Sequence, residues 1–455
     1  MVLLITPNSK DINYGLTSHE FSAVQPNIYM NILESVYNHI KGIPCISIHM
    51  EGDGFDIPSI IKYIEGTKPS KIGIICSGSN PSASTMTMVG AIPLAKAIKS
   101  AIPSQYVFIW GGHPTVLPER TKNETGVDEV IVGTDFGCDV RDIPMVDWGT
   151  IDPWKYKAHN WHCFGDLGNR SPYGVIWTTL GCPYQCEFCC INNVFEKRTY
   201  LMRDMRQVIA EVDHLVKVFG VRNIKIMDEL FVSNNRKRLT QFCEAMIQRD
   251  YGLNMWCFAR TDTVNPEILS MLKKAGINWI AYGFESIHQD SVSAQKKGSK
   301  VSEYEKVIRW TKEAGISIIA DFIAGFWEDT YEKLEETYQF ACKQNFEFIN
   351  LYPLFAYPGT PLYERYLREG RIFEPASWSE YSLYGYDCKP CPTQCLNEEQ
   401  VLRWRDEKYV AYFQRPSYRQ MIREKFGEET ERHVVKMSEM KLERKICLPK
   451  IPLGT

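Results

Sequence analysis

The stretch GVIWTTLGCPYQCEFCC (174–190) runs from an apolar strand directly into four cysteines within nine positions. MVLLITPNSK at the start has neither the basic residues nor the long apolar stretch of a secretion signal. The expected location is therefore the cytoplasm, where thiols stay reduced. Fifteen cysteines in such a compartment are no disulfide framework, and a tight group of them points to metal or redox chemistry. Cys182, Cys186 and Cys189 give the spacing CxxxCxxC, and grouped thiolates suit iron–sulfur or zinc. Structural zinc takes four ligands, and Cys190 is a poor fourth because adjacent residues point apart. Three cysteines on a 4Fe–4S cluster instead leave one iron open, as reactive metal sites require.

On the carboxyl side, strand-like runs continue as NIKIMD (223–228), NMWCF (254–258), WIAYGF (279–284), ISIIADF (316–322) and FEFINLY (346–352), with amphipathic helices between them. In VIAEVDHLVKVFG (208–220), Val208, Val212, Leu215 and Phe219 share one face, and Gly220 ends the helix. Six βα units with nearly all-apolar strands predict a partial six-unit parallel βα barrel, whose chemistry collects at the carboxyl ends of its strands. The cysteines follow the first of those strands.

On the amino side, VLLIT (2–6), CISIH (45–49), KIGIIC (71–76), YVFIW (106–110) and EVIV (129–132) alternate with helical spacing, such as Ile28, Ile32, Val36 and Ile40 closed by Gly42. That order predicts a doubly wound, Rossmann-like parallel sheet with ligands on its βα loops. Those loops are small and polar: Thr6, Pro7 and Asn8; SGSNPSAS (77–84) with Ser77, Gly78 and Ser79; and GGHPT (111–115) with Gly111, Gly112 and His113. Glycine and serine let a bulky ligand lie close to the backbone. No GxGxxG is present, so a dinucleotide is not the favoured ligand. The expected division is residues 1–150, a connector at 151–172, the barrel at 173–365, and a helical capping region at 366–455. The α/β class follows.

A net charge of −3 offers no electrostatic reason for a nucleic-acid partner. ISIIADFIAGFW is the longest apolar run; Asp321 interrupts it, and it falls short of the roughly 20 residues a membrane span needs. In the capping region, Cys388, Cys391 and Cys395 reverse the first cysteine spacing. Pro390 and Pro392 interrupt them, and the reading favours no second cluster there.

With its CxxxCxxC after the first strand of a six-unit barrel and Phe188 before the last cysteine, the chain resembles the radical S-adenosylmethionine (SAM) enzymes. IMDELF (226–231) resembles that family's acidic stretch, which implies Asp228 or Glu229 at the SAM amino group. GFES (283–286) is similar to its fourth-strand motif and implies Gly283, Glu285 and Ser286 near ribose and carboxylate. IAGFWEDT (323–330), with Gly325, and YPGTPLY (357–363), with Tyr357, Pro358 and Gly359, resemble its adenine-side motifs. Arg260 is a candidate for the SAM carboxylate. Other readings stay open: Asp228 could cap a helix, Arg260 could pair with Asp262, and Pro-Gly-Thr is a common turn. The sheet domain with GGHPTVLPE ahead of the barrel resembles the cobalamin-binding subgroup, although DxHxxG, which carries a cobalt-binding histidine elsewhere, is absent. The resemblance implies three cofactors, a 4Fe–4S cluster on Cys182, Cys186 and Cys189, SAM, and cobalamin on the N-terminal loops. It also implies an electron donor such as flavodoxin or ferredoxin, and a small-molecule substrate such as a sugar, lipid or natural product. The implied activity is methylation of an unactivated carbon after hydrogen abstraction by a 5′-deoxyadenosyl radical. Alternatives are a rearrangement, cyclisation or oxidation without methyl transfer, and a non-enzymatic iron–sulfur or zinc scaffold.

Overall fold

Two parallel sheets organise the computed structural model, which describes residues 1–8, 21–77 and 83–448. The first contains β1 (Val2–Thr6), β2 (Cys45–His49), β3 (Lys71–Cys76), β4 (Val107–Gly111) and β5 (Glu129–Ile131). Between them lie α1 (Ile28–Ser35), α2 (Ile57–Thr67), α3 (Ala83–Ala101), α4 (Gly112–Val116) and α5 (Pro118–Thr125). Leu3, Leu4, Ile5, Ile72, Ile74 and Ile75 are buried, as strands covered by helices on both faces require. Asp56 starts α2 through a capping box with Ser59. The strand order is β2-β1-β3-β4-β5. Connections leave β1 and β3 toward opposite sides, which opens a crevice beyond their carboxyl ends, at Thr6 and Ser77.

A short α6 (Trp148–Ile151) precedes the second sheet. That sheet is built from β6 (Tyr173–Ile176), β9 (Asn223–Ile226), β10 (Asn254–Ala259), β11 (Ile277–Glu285), β12 (Ser317–Ala324) and β13 (Phe348–Pro353). A two-residue ribbon, β7 (Thr179–Leu180) with β8 (Leu201–Met202), stands apart from it. The intervening helices are α7 (Met205–Phe219), α8 (Arg236–Arg249), α9 (Pro266–Lys274), α10 (Gln289–Ala294), α11 (Tyr304–Glu313) and α12 (Tyr331–Gln344), and α13 (Pro361–Arg368) follows β13. Strands pair in chain order from β6 to β13, and the two end strands do not meet. The result is an open six-unit barrel. GVIWTT does not form one strand: β6 stops at Ile176, because the Asp228 carboxylate draws in Thr178 and Thr179, and Thr179 then pairs with Met202.

The open side of the barrel is packed by the connector and by the C-terminal helices. Trp161 lies 5.1 Å from Trp256, 5.6 Å from Trp279 and 5.9 Å from Phe348, ring centre to ring centre. After α13 come α14 (Glu398–Gln414), α15 (Pro416–Phe426) and α16 (Glu428–Ser438). The Tyr412 hydroxyl donates to the Phe346 carbonyl at 2.8 Å and that of Tyr418 to Glu347 at 2.9 Å. These bonds hold the helices against the start of β13. Among the described residues no helix is long and apolar enough to cross a membrane.

Candidate active site

The cysteine loop, residues 181–200, leaves the barrel through the β7–β8 ribbon. Gly181 holds φ +81° at its neck, and a Cβ there would overlap the Thr199 carbonyl oxygen. Asn192 ties the loop across its base. Its Oδ1 accepts from the Cys182 and Thr199 amides at 3.3 and 3.2 Å, and its Nδ2 donates to the Cys182 carbonyl at 3.0 Å. Cys182, Cys186 and Cys189 are each partly exposed, whereas Cys190 is 9% exposed. Burial pushes the Cys182 thiol up to about 11 and that of Cys189 well above its ordinary value. Burial also raises Cys186, which Lys297 and Arg260 pull back. The three thiols feel one another's charge. Among the described residues, though, no group of three such side chains is arranged to hold a single metal ion. Phe188 packs against Phe326, ring centres 6.0 Å apart.

Around this loop the acidic and glycine motifs take different roles. Asp228 is fully buried and accepts from the Thr178 amide and from the Thr178 and Thr179 hydroxyls. Its oxygens are thus engaged within the turn after β6. Glu229 remains partly exposed, accepting from the Gly181 amide at 3.1 Å and the Tyr29 hydroxyl at 3.4 Å, and burial raises its carboxyl to about 7. Arg260 forks onto Asp262 at 2.9 and 2.7 Å, lies 3.8 Å over the Tyr184 ring of the cysteine loop, and donates to the Lys297 carbonyl at 2.6 Å. Glu285 sits at φ +63°, just past a register shift in β11, and forms a buried ion pair with Lys297. Gly283 makes room for that pair, since a Cβ there would overlap both partners. A non-glycine residue held left-handed at a bulge marks a strained, over-determined site. Ser286 accepts from the His288 amide at 3.2 Å. Gly325 and Phe326 give their amides to Asp329, both at 3.0 Å. Thr360 caps α13, Tyr357 stacks near Tyr381, and the Pro358 carbonyl accepts from Asn193 at 2.7 Å. At φ +81°, Gly359 abuts Val116 of the N-terminal domain, so this turn joins the two domains.

The N-terminal loops divide. Thr6, Pro7 and Ser77 line a cavity of ≈ 990 Å³ between the β1/β3 crevice and the barrel interior. Asn8 ends the first described segment, its carbonyl packed close to Gly90. Gly78 and Ser79 lie outside the described residues. Gly111 to His113 lie off the cavity. Gly111 packs directly on the Cys76 carbonyl, Gly112 faces Ser84 and Asn193, and the His113 ring stands 4.3 Å from that of Trp378. Being one strand beyond the switch point, β4 turns its loop toward the cysteine loop instead. Thr134, in the segment after β5, also reaches that loop and donates to the Val194 carbonyl at 2.6 Å. Cys388 and Cys391 are buried in separate apolar clusters, while Cys395 is exposed.

Several lining residues have no role in the sequence reading: His49, Lys225, Trp256, Asp321, Asn350 and Tyr384. A signal for two of them exists, since Lys225 and Asp321 are charges inside otherwise apolar strand runs.

Residues 177–341 match the radical SAM superfamily model. An uncharacterized methyltransferase of Pyrococcus horikoshii is 24% identical over 400 residues, 79% of this chain and 82% of that protein. The anaerobic magnesium-protoporphyrin IX monomethyl ester cyclase of Cereibacter sphaeroides is 31% identical over 270 residues, 57% of this chain but only 41% of the cyclase. In fold, the chain is similar to TsrM of Kitasatospora setae, a radical SAM methyltransferase solved with cobalamin and a 4Fe–4S cluster bound. The TM-score is 0.65 at 15% identity, over 91% of this chain and 89% of that one. It is likewise similar to the cobalamin-dependent radical enzyme OxsB, with a TM-score of 0.66 at 14% identity, covering 96% and 71%.

Proposed function

Its domain over residues 177–341 makes this chain a radical SAM enzyme, and on that premise we propose that it is a cobalamin-dependent methyltransferase acting on an unactivated carbon of a small molecule. The observation that carries the reading is the ≈ 990 Å³ cavity shared by the crevice of the N-terminal sheet and the inward faces of the barrel strands. Its lining joins Thr6, Pro7 and Ser77 of the first sheet to Lys225, Trp256 and Asp321 of the barrel, while the three cysteines, Glu229 and Glu285 lie off it. The methyltransferase name of a relative matched over 79% of this chain supports the same reading.

Cys182, Cys186 and Cys189 are the residues that would hold a 4Fe–4S cluster. Glu229 and the Glu285–Ser286 turn would hold SAM, and Thr6, Pro7 and Ser77 would bed cobalamin. When bound, these groups supply respectively an electron, the abstraction of a hydrogen atom, and a methyl group. The chain's own part is positional. The Asn192 bonds and the β7–β8 ribbon set the cysteine loop, and Arg260 and Lys297 place positive charge beside Cys186. Lys297 pairs with Glu285 and holds it in its left-handed conformation. The connector and α14 pack against the open side of the barrel.

Protein purified anaerobically with cobalamin available, reconstituted with iron and sulfide and reduced, should convert SAM to 5′-deoxyadenosine. In the presence of substrate it should use two SAM per product, one yielding 5′-deoxyadenosine and the other donating its labelled methyl group. No corrin absorbance and no cobalt in the purified protein would defeat the cobalamin assignment. A second reading, oxidation or cyclisation without methyl transfer, is favoured by the 31% identity to a cyclase. It requires product without the label.

A further inference from the structure

His49 closes β2 and stands beside Thr6 of β1 in the sheet register. With Thr6, Pro7 and Ser77 it lines the part of the cavity formed by the first sheet. That is the carboxyl end of a parallel strand, where ligands of such sheets sit. The residue is fixed through its backbone. Its amide donates to Asp53 Oδ2 at 2.9 Å, and the Asp53 amide donates back to the His49 carbonyl at 2.8 Å. Asp53 is in turn held by Lys155 at 2.7 Å. Tyr156 stacks on the imidazole, with ring centres 5.8 Å and planes 24° apart. Gly52 packs on the Nδ1 edge, where an added Cβ would stand 3.0 Å from that nitrogen.

The ring is thus set in place on two sides, yet no hydrogen bond uses it. Nδ1 is sealed from solvent and has no partner. Nε2 bonds to no described residue either, but it is not sealed, and the cavity is what its open edge meets. A ring 9% exposed with both nitrogens unpaired is costly, and polar groups that deeply buried are nearly always bonded. Burial holds the ring neutral, so it carries a lone pair. Neutral imidazole is a strong and common ligand of transition metals. The other histidine on the cavity, His159, is placed differently. Its Nε2 meets Gln25 Nε2 at 2.6 Å, and its ring stacks on Trp161 at the barrel.

We propose that Nε2 of His49 is an axial ligand to the cobalt of a corrin held in the crevice, with the ring proton on Nδ1. This inference rests on the cobalamin reading, and its test reports on the metal's own spectrum rather than on turnover. The full chain is loaded with cob(II)alamin under anaerobic conditions without SAM and read by electron paramagnetic resonance. A ligating nitrogen splits the cobalt lines, ordinary nitrogen into triplets and heavy nitrogen (15N) into doublets. Protein grown with 15N-histidine and loaded with unlabelled cobalamin should therefore show doublets. Triplets that persist would overturn the proposal, because the ligand would then be the cofactor's own benzimidazole. Lines without nitrogen splitting would overturn it as well. His49→Gln should take up corrin and lose the doublets, while His159→Gln should keep both. Doublets that survive His49→Gln would overturn the assignment to this residue. The labelled, unaltered chain decides whether a histidine ligates even if a variant fails to fold. A chain that takes up no corrin would refute the cofactor reading itself, whereas corrin without the histidine splitting would refute this ligand alone.

Discussion

Replacing Gly181 with alanine should detach the cysteine loop from its anchor, and the structure says by how much. At φ +81° an alanine costs about 1–2 kcal/mol in backbone strain. Its Cβ would also overlap the Thr199 carbonyl, which is backbone and cannot rotate away. Regaining ordinary contact requires the neck to open by about 1 Å. That movement disrupts the three Asn192 bonds to Cys182 and Thr199, each worth about 1 kcal/mol net. The whole penalty is about 4–5 kcal/mol, concentrated next to Cys182. Gly220 supplies the control: its φ is +68°, but nothing lies within 4 Å of the added Cβ, so only the backbone cost applies. The assay is iron retained per chain after anaerobic reconstitution and desalting, together with the melting temperature. Gly220→Ala should keep its full iron. Gly181→Ala should keep less than half and melt lower. Matching iron and melting temperatures for the two variants would refute the reasoning that the neck positions the cysteines.

Cys186→Ala should abolish iron incorporation, while Cys190→Ala should leave it in place; equal losses would overturn the three-cysteine assignment. Burial raises the Glu34 carboxyl to about 7, with Asp147 adding to the rise. The folded chain therefore holds that proton more tightly than the unfolded chain, and stability falls as pH rises from about 4.5 to 7. Glu34→Gln should then stabilise the protein at pH 8 by on the order of 2–3 kcal/mol and change nothing at pH 4, as read from denaturant midpoints. Arg203 and Glu211 form a fully buried pair at 2.6 Å, and Glu211 also accepts from Trp148 Nε1 at 2.9 Å. Arg203→Met alone should cost about 3–5 kcal/mol by stranding that carboxylate, and adding Glu211→Gln should recover most of it. A double variant no more stable than the single would count against the pair.

Strand positions were legible because most strands are short apolar runs rich in β-branched residues. VLLIT, CISIH and KIGIIC coincide with β1, β2 and β3, since the hydrophobic pattern and the buried faces are the same physical fact. The cysteine spacing was equally local, as four thiols on one short loop announce themselves without a fold. Tertiary structure decided which neighbours claim each polar side chain. Asp228 and Glu229 are adjacent in the chain, yet one is saturated by Thr178 and Thr179 while the other stays partly open. GGHPT and SGSNPSAS look alike as loops, yet the β2-β1-β3-β4-β5 order puts Ser77 on the crevice and turns His113 toward Trp378. Lys225 and Asp321, 96 positions apart by their numbering, meet one cavity only because the sheet curves. Periodicity along a chain records which side of a strand is dry. It carries no information on which distant strand, or which ligand, that side will face.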